Sequence, residues 1–303
     1  MLRAIIIGLL QGITELFPIS SLGHSVLIPG WLGWNALVKG ESAGESPYLA
    51  FVVGLHVGTA LALLVYYWRE WQHVIPAAFR VIGKRKVTDS HEHLAWLLIV
   101  ATIPAAIMGV VFEHALRTLF AKPFAAALFL TINGIILFFG EWLRRRRISE
   151  ALARETVPVR ASEAEINALA ERTQTVRTVD DMTWRTAVAI GVAQVGALFA
   201  GISRSGITMV AGLAKGLDHE EAARFSFMLA TPIILAAGVY KLPDLMGHLG
   251  NGIRGQVLVG SAAAALAAFV SVRFLVRYFA TNNLVPFAIY CLAFGAVSMI
   301  RFA

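Results

Sequence analysis

Six stretches of this chain, residues 48–68, 94–112, 124–143, 222–242, 257–276 and 284–300, are apolar and close to the length, about 20 residues, that a helix needs to cross a bilayer. Six such runs in 303 residues leave too little polar surface for a soluble domain. The charge content agrees: 15% of residues are charged and 57% hydrophobic, where a soluble domain carries about a quarter charged. The net charge of +7 is gathered between the apolar runs, at Lys84-Arg85-Lys86 and Arg144 to Arg147. Basic clusters in those places set membrane orientation, so membrane lipids are expected as partners and nucleic acid is not. The lone cysteine, Cys291, excludes a disulfide framework or thiolate metal site within the chain. Residues 1–10 faintly resemble a signal peptide, but no small-residue cleavage site follows, and they are read as mature protein.

Two further segments, residues 1–31 and 184–217, are apolar but interrupted by glycine, proline and polar residues. Broken helices survive at membrane depth only where protein or a water-filled cavity covers their free backbone groups. The two segments align without a gap, GLLQGITELFPISSLGHS from Gly8 against GVAQVGALFAGISRSGIT from Gly191. Gly8 pairs with Gly191, Gln11 with Gln194, Ile19 with Ile202, Ser20 with Ser203 and Gly23 with Gly206. The basic stretches after Trp68 and Leu143 are placed in the cytoplasm, which puts residues 32–47 outside and makes residue 184 start from the inside. The two copies then enter the membrane from opposite faces. The expected fold is an all-α polytopic membrane protein: an inverted-topology repeat with two re-entrant broken-helix hairpins and about six full transmembrane helices. Its parts are a first membrane repeat (1–143), a polar cytoplasmic loop (144–183) with helical character over 162–173, and a second repeat (184–303). The Gly- and Ala-rich helices permit a homodimer.

The chemistry-bearing residues lie in the repeat. The first copy carries Gln11, Glu15, Ser20, Ser21 and His24; the second carries Gln194, Ser203, Arg204, Ser205 and Thr208. Gln11 and Glu15, four apart, share one helix face. Gly201 and Gly206 let several N–H groups point into one concavity. Serine and threonine in membrane helices often only bond to the backbone or join helices. Ionisable groups there are costly and mark function, which singles out Glu15, His24 and Arg204. Half-helix N-termini meeting near the midplane favour an anion. Arg204 offers a planar fork for phosphate oxygens, with Ser203, Ser205 and Thr208 hydroxyls beside it. Glu15 and Gln11 offer oxygen ligands for Mg²⁺ or Ca²⁺. Ser21 or His24 can attack phosphorus, or His24 can move a proton; the residues alone do not order these roles. Elsewhere, His56 either packs or lines the pocket, with packing favoured; Asn133 reads as helix packing, Glu141 as a surface partner of Arg144, and Trp68, Trp71 and Trp142 as interfacial anchors. A lipid-anion transporter, an intramembrane serine protease and a type-2 phosphatidic-acid phosphatase compete with this reading. A transporter needs no nucleophile–histidine pair and a protease needs neither Arg204 nor Glu15. The third lacks a histidine shortly after Arg204.

At these residues the chain resembles the undecaprenyl-pyrophosphate phosphatase family, the bacitracin-resistance phosphatases. QGITELFPISSLGH, from Gln11 to His24, is similar to that family's first motif, and AGISRSGIT, from Ala200 to Thr208, to its second. The resemblance covers nearly the whole chain except residues 148–178. Gln11 stands where many members have glutamate, Ala200 where proline is usual, and Cys291 where many have arginine. The resemblance implies hydrolysis of a polyprenyl pyrophosphate lipid, undecaprenyl pyrophosphate, to the monophosphate, which recycles the carrier for cell-wall synthesis. It implies a divalent cation and a multi-pass protein of the bacterial inner membrane whose site opens to the periplasm. Carried over by motif, Glu15 serves metal binding or acid–base work, Ser21 and His24 form a nucleophile–base pair, and Arg204 clamps phosphate. Ser20, Ser203, Ser205, Gly206 and Thr208 complete the phosphate site.

Overall fold

The computed structural model describes residues 1–34, 47–120, 122–153, 178–247 and 251–303. Among them every regular element is helical. Five helices are long and apolar enough to cross a membrane: α5 (Ser90–Phe120), α6 (Pro123–Ala153), α9 (His219–Met246), α10 (Arg254–Phe279) and α11 (Val285–Phe302). A sixth, α3 (Pro47–Tyr66), turns by 95° at Tyr67 into α4 (Trp68–Lys84). The two interrupted segments form short-helix hairpins. α1 (Leu2–Leu16) and α2 (Ser21–Trp31) make the first; α7 (Trp184–Gln194), a 3₁₀ turn at Val195–Leu198 and α8 (Arg204–Ala214) make the second. The chain is a multi-pass, all-α membrane protein.

α9 is the central span: 61% of its most apolar stretch is buried, against 28–39% for the other four long spans. Large apolar side chains such as Leu61, Val110, Phe139, Leu266 and Ile300 remain exposed, as a lipid-facing surface requires. Contacts cross between the halves of the chain. α1 packs on α10 and α7 on α5, while α3 pairs with α9 and α6 with α11. The aligned glycines explain the first two contacts. A Cβ on Gly8 would lie 2.3 Å from the Gly260 carbonyl oxygen, and one on Gly191 would lie 2.5 Å from that of Ala101. Helices approach this closely only where a side chain is missing, and dispersion then holds them together.

Two regions differ from the sequence reading. The stretch after Trp68, read as a basic loop, is the amphipathic helix α4. Trp71, Val74, Ala77 and Val81, spaced by three or four, pack inward, while Trp68, Ile75, Phe79 and Ile82 remain exposed among Arg69, His73 and Arg80. That division of faces suits a helix at the membrane interface, and a search for 20-residue apolar runs passes over it. The span ending at Leu143 also continues to Ala153, placing Arg144 to Arg147 on helix rather than in a loop. Arginine, glutamate and alanine are good helix formers. Arg146 pairs with Glu150 at 2.8 Å, and Arg147 donates to the Ala214 carbonyl at the C-terminus of α8 at 2.8 Å. The helix expected at 162–173 lies outside the described residues, as does most of the connection at 32–47.

Candidate active site

α1 ends at Leu16, and Phe17 to Ser20 reverse the chain before α2 begins at Ser21. Ser20 caps α2: its Oγ accepts from the Gly23 N–H at 3.2 Å. Ser203 caps α8 in the same way, accepting from Gly206 at 3.1 Å. Aligned serines thus do one job in both hairpins, satisfying an N–H group that a helix start leaves free. The two turns are also joined. Ser20 Oγ accepts a second bond, from the Gly201 N–H at 3.2 Å. Asn133, on α6, donates from Nδ2 to the Pro18 carbonyl and accepts from the Ser203 N–H, both at 2.9 Å. Ser205 Oγ donates to the Phe17 carbonyl at 3.3 Å. Ser20 itself has φ 71°, a strained conformation for a residue with a Cβ. The N-termini of α2 and α8 meet at this junction, and each offers a partial positive charge.

Glu15 is the electrostatic centre of the junction. Its Oε1 accepts from Arg204 Nη2 at 2.9 Å. Its Oε2 accepts from Ser21 Oγ at 2.5 Å and Gln11 Nε2 at 3.0 Å, with His56 Nε2 at 3.3 Å. The carboxylate is nearly fully buried, so its charge is matched by donors on three sides, as a buried charge must be. His56 Nδ1 faces the Val52 carbonyl at 2.9 Å. A carbonyl only accepts, so Nδ1 carries a hydrogen there, and Nε2 can donate to Glu15 only when the ring holds both protons. Arg204 Nη1 donates to the Ser226 carbonyl at 3.3 Å, which steadies the guanidinium against α9.

These groups form one end of a cavity of about 280 Å³. Its polar end is lined by Glu15, Ser21, His56 and Arg204, with Gln194 on the wall; Val53, Leu198, Ile233 and Ile234 line the rest. Polar groups converging at one end of an apolar pocket suit an amphiphile with a charged head.

The structure brings together Glu15, Ser21 and Arg204, with Gln11 bonded to Glu15 and with Ser20 and Ser203 also on the cavity wall. Ser205, Gly206 and Thr208 lie behind that wall. Thr208 Oγ1 meets Ser226 Oγ at 2.7 Å and holds α8 to α9. His24 is not brought to Ser21. Its Nδ1 donates to the Ser20 carbonyl at 2.7 Å, its Nε2 meets the Tyr290 hydroxyl at 2.7 Å, and the ring stacks on Tyr290 and Phe294. The histidine at the cavity is His56, for which the sequence favoured packing and left pocket-lining as the alternative. The cost of an ionisable group inside a spanning helix was the signal that pointed to it.

Among the described residues no group of three or more His, Cys, Asp and Glu side chains is placed to hold a metal ion. Mg²⁺ rarely needs such a cage; one or two carboxylates plus substrate phosphates commonly suffice. The hard oxygen donors at Glu15, Ser21 and Gln11 are compatible with a cation of that kind.

Fold and site together define a class: a multi-pass helical membrane protein with a buried polar cluster at the meeting of two helix N-termini. Residues 4–297 match the family described as bacitracin resistance protein BacA, and the chain belongs to that family. It is 53% identical to a protein of Frankia alni named undecaprenyl-diphosphatase 2, across 100% of this chain and 98% of that one. It is 50% identical to the undecaprenyl-diphosphatase of Mycolicibacterium paratuberculosis, across 99% and 97%. A Chromobacterium violaceum protein named undecaprenyl-diphosphatase 2 is 39% identical, across 99% and 98%.

Proposed function

We propose that this protein hydrolyses undecaprenyl diphosphate to the monophosphate and inorganic phosphate. The observation that carries the reading is the Glu15 carboxylate, which holds Ser21 Oγ on one oxygen and Arg204 on the other at the polar end of an apolar cavity. Glu15 takes the Ser21 proton as Oγ bonds to the terminal phosphorus. The bond from that phosphorus to the bridging oxygen breaks, and undecaprenyl monophosphate leaves with the bonding pair. Glu15 passes the proton it took to the departing monophosphate and is a carboxylate again. Water then attacks the phosphoserine and gives a proton to Glu15, and Glu15 returns that proton to Oγ as phosphate departs. Arg204 and the N-termini of α2 and α8 face the charge that builds on the phosphoryl oxygens. A divalent cation arriving with the diphosphate would take Glu15 as its protein ligand, with Gln11 beside it, and would neutralise phosphate charge. His24 acts in this reading by fixing α2 against α11, and His56 by balancing Glu15.

The reading includes an inner-membrane location with a periplasmic site, and an inverted repeat. The cavity residues lie on the C-terminal half of α9, the N-terminal half of α3 and the last turn of α7. Those are the ends away from Arg69, Arg144 to Arg147 and the start of α7 at Trp184. If the basic ends are cytoplasmic, the cavity belongs to the periplasmic half. The exchanged contacts, α1 on α10 and α7 on α5, are those an inverted pair of repeats makes.

The test is phosphate release by purified protein from isoprenyl diphosphates of several lengths, with and without divalent cation. Turnover of the diphosphate but not of undecaprenyl monophosphate is expected. It should fall sharply in chelator and in Ser21→Ala. Failure on every diphosphate would end the proposal; full activity in Ser21→Ala would leave water as the nucleophile.

A further inference from the structure

Gln11 and Gln194 occupy the same place in the two copies of the repeat but are used differently. Gln11 Nε2 is spent on Glu15. Gln194, the last residue of α7, is 1% exposed and lines the same cavity, and neither its Nε2 nor its Oε1 has a partner among the described residues. A buried carboxamide with no partner bears its full desolvation penalty. Native structures rarely tolerate one unless a ligand or water completes it. Glu15, Ser21, His56 and Arg204, which also line the cavity, are all engaged in the network around Glu15. Gln194 differs from them in having both its donor and its acceptor open.

We propose that Gln194 is a substrate-contacting residue whose side-chain NH₂ donates to the diphosphate oxygens of the lipid. The inference rests on the diphosphatase reading above and deepens it. A diphosphate is rich in acceptors and has no donors when ionised, which suits the two N–H groups of Nε2. The carbonyl oxygen needs a donor, and the water that resolves the phosphoserine supplies one. Glutamine is neutral, so it adds donors opposite Arg204 without adding a buried charge that the empty cavity would have to balance. Leu198 and Ile233, which share the wall, offer the diphosphate nothing, so Gln194 also marks where the charged head ends and the apolar chain begins.

The test compares wild type with Gln194→Leu, close in volume and unable to hydrogen-bond, and Gln194→Glu, which sets a carboxylate against the diphosphate. Thermal stability in detergent is measured alongside kcat and KM for undecaprenyl diphosphate. Gln194→Leu should keep or raise the melting temperature, since it removes an unpartnered amide. Its kcat/KM should fall at least tenfold, with most of the loss in KM, and Gln194→Glu should fall further. Gln194→Met serves as a second apolar variant should leucine fail to fold. A kcat/KM within twofold of wild type in the apolar variants overturns the inference while leaving the diphosphatase reading standing. So does a lowered melting temperature without a KM change, which is the mark of a structural role. Wild-type protein inactive on the lipid diphosphate removes both.

Discussion

Replacing Glu15 by glutamine should separate the two tasks of this carboxylate. The side chain keeps its shape but loses its charge, and one oxygen that accepts from Arg204, Ser21, Gln11 or His56 becomes an NH₂ facing donors. Arg204, with its side chain 13% exposed, is left without a counter-charge. Breaking a buried pair from one side costs about 3–5 kcal/mol, because the surviving charge remains buried and unmatched. Arg204→Met should cost a similar amount by leaving Glu15 with fewer donors. The double variant should cost less than the sum, with a coupling of about 1–3 kcal/mol in thermal or denaturant melts of the detergent-solubilised protein. Activity should move differently. Loss of the group that takes the Ser21 proton lowers kcat by about 10²–10⁴, or roughly 3–5.5 kcal/mol of barrier. The double variant should not recover it. Additive stabilities would show that the two residues are not paired. A kcat for Glu15→Gln within threefold of wild type would remove Glu15 from the proton transfer, and with it the mechanism above.

Further predictions concern the scaffold. Tyr290→Phe and His24→Phe should each lower stability by about 1 kcal/mol through loss of a buried hydrogen bond, and non-additively, in the same melts. Gly12→Val should reduce folded yield or cost about 1–3 kcal/mol, because a Cβ there would lie 2.2 Å from the Ala264 carbonyl oxygen. On α4, cysteine-attached spin labels at Ile75, Phe79 and Ile82 should show high collision rates with lipid-soluble oxygen, and labels at Val74, Ala77 and Val81 low ones. The native Cys291 is buried and should not compete for label. A uniform rate along α4 would remove its interfacial placement.

Much of the architecture was legible in the chain. Hydropathy is a property of consecutive residues, and the bilayer demands a fixed length, so the five long spans and α3 were visible without any knowledge of packing. The hairpins were visible for a related reason. Pro18, Gly201 and the serines interrupt apolar runs at aligned positions, and interruption inside a membrane signals covered backbone. Glu15 and Arg204 stood out because the cost of a charge in lipid depends little on its neighbours. The amphipathic α4 was read as loop because its apolar residues are spread over two faces rather than run together.

The direction in which each polar side chain points was set by contacts between distant segments. His24 and Ser21 are three residues apart, yet the His24 ring is claimed by Tyr290, 266 positions along the chain, while Ser21 turns to Glu15. His56 enters the site because α3 packs against α1 and α9, which no local pattern encodes. Glu141, read as a surface partner of Arg144, is buried instead and accepts from His219 at 2.5 Å and the Leu284 N–H at 2.8 Å. Trp71, read as an interfacial anchor, is covered where α4 packs on α5. Composition and order along the chain settle which segments enter the membrane and where their backbone must break, since both follow from the cost of transfer into lipid. Which side chains share a cavity follows from how helices far apart in sequence rotate and approach, and that is fixed only when the whole bundle packs.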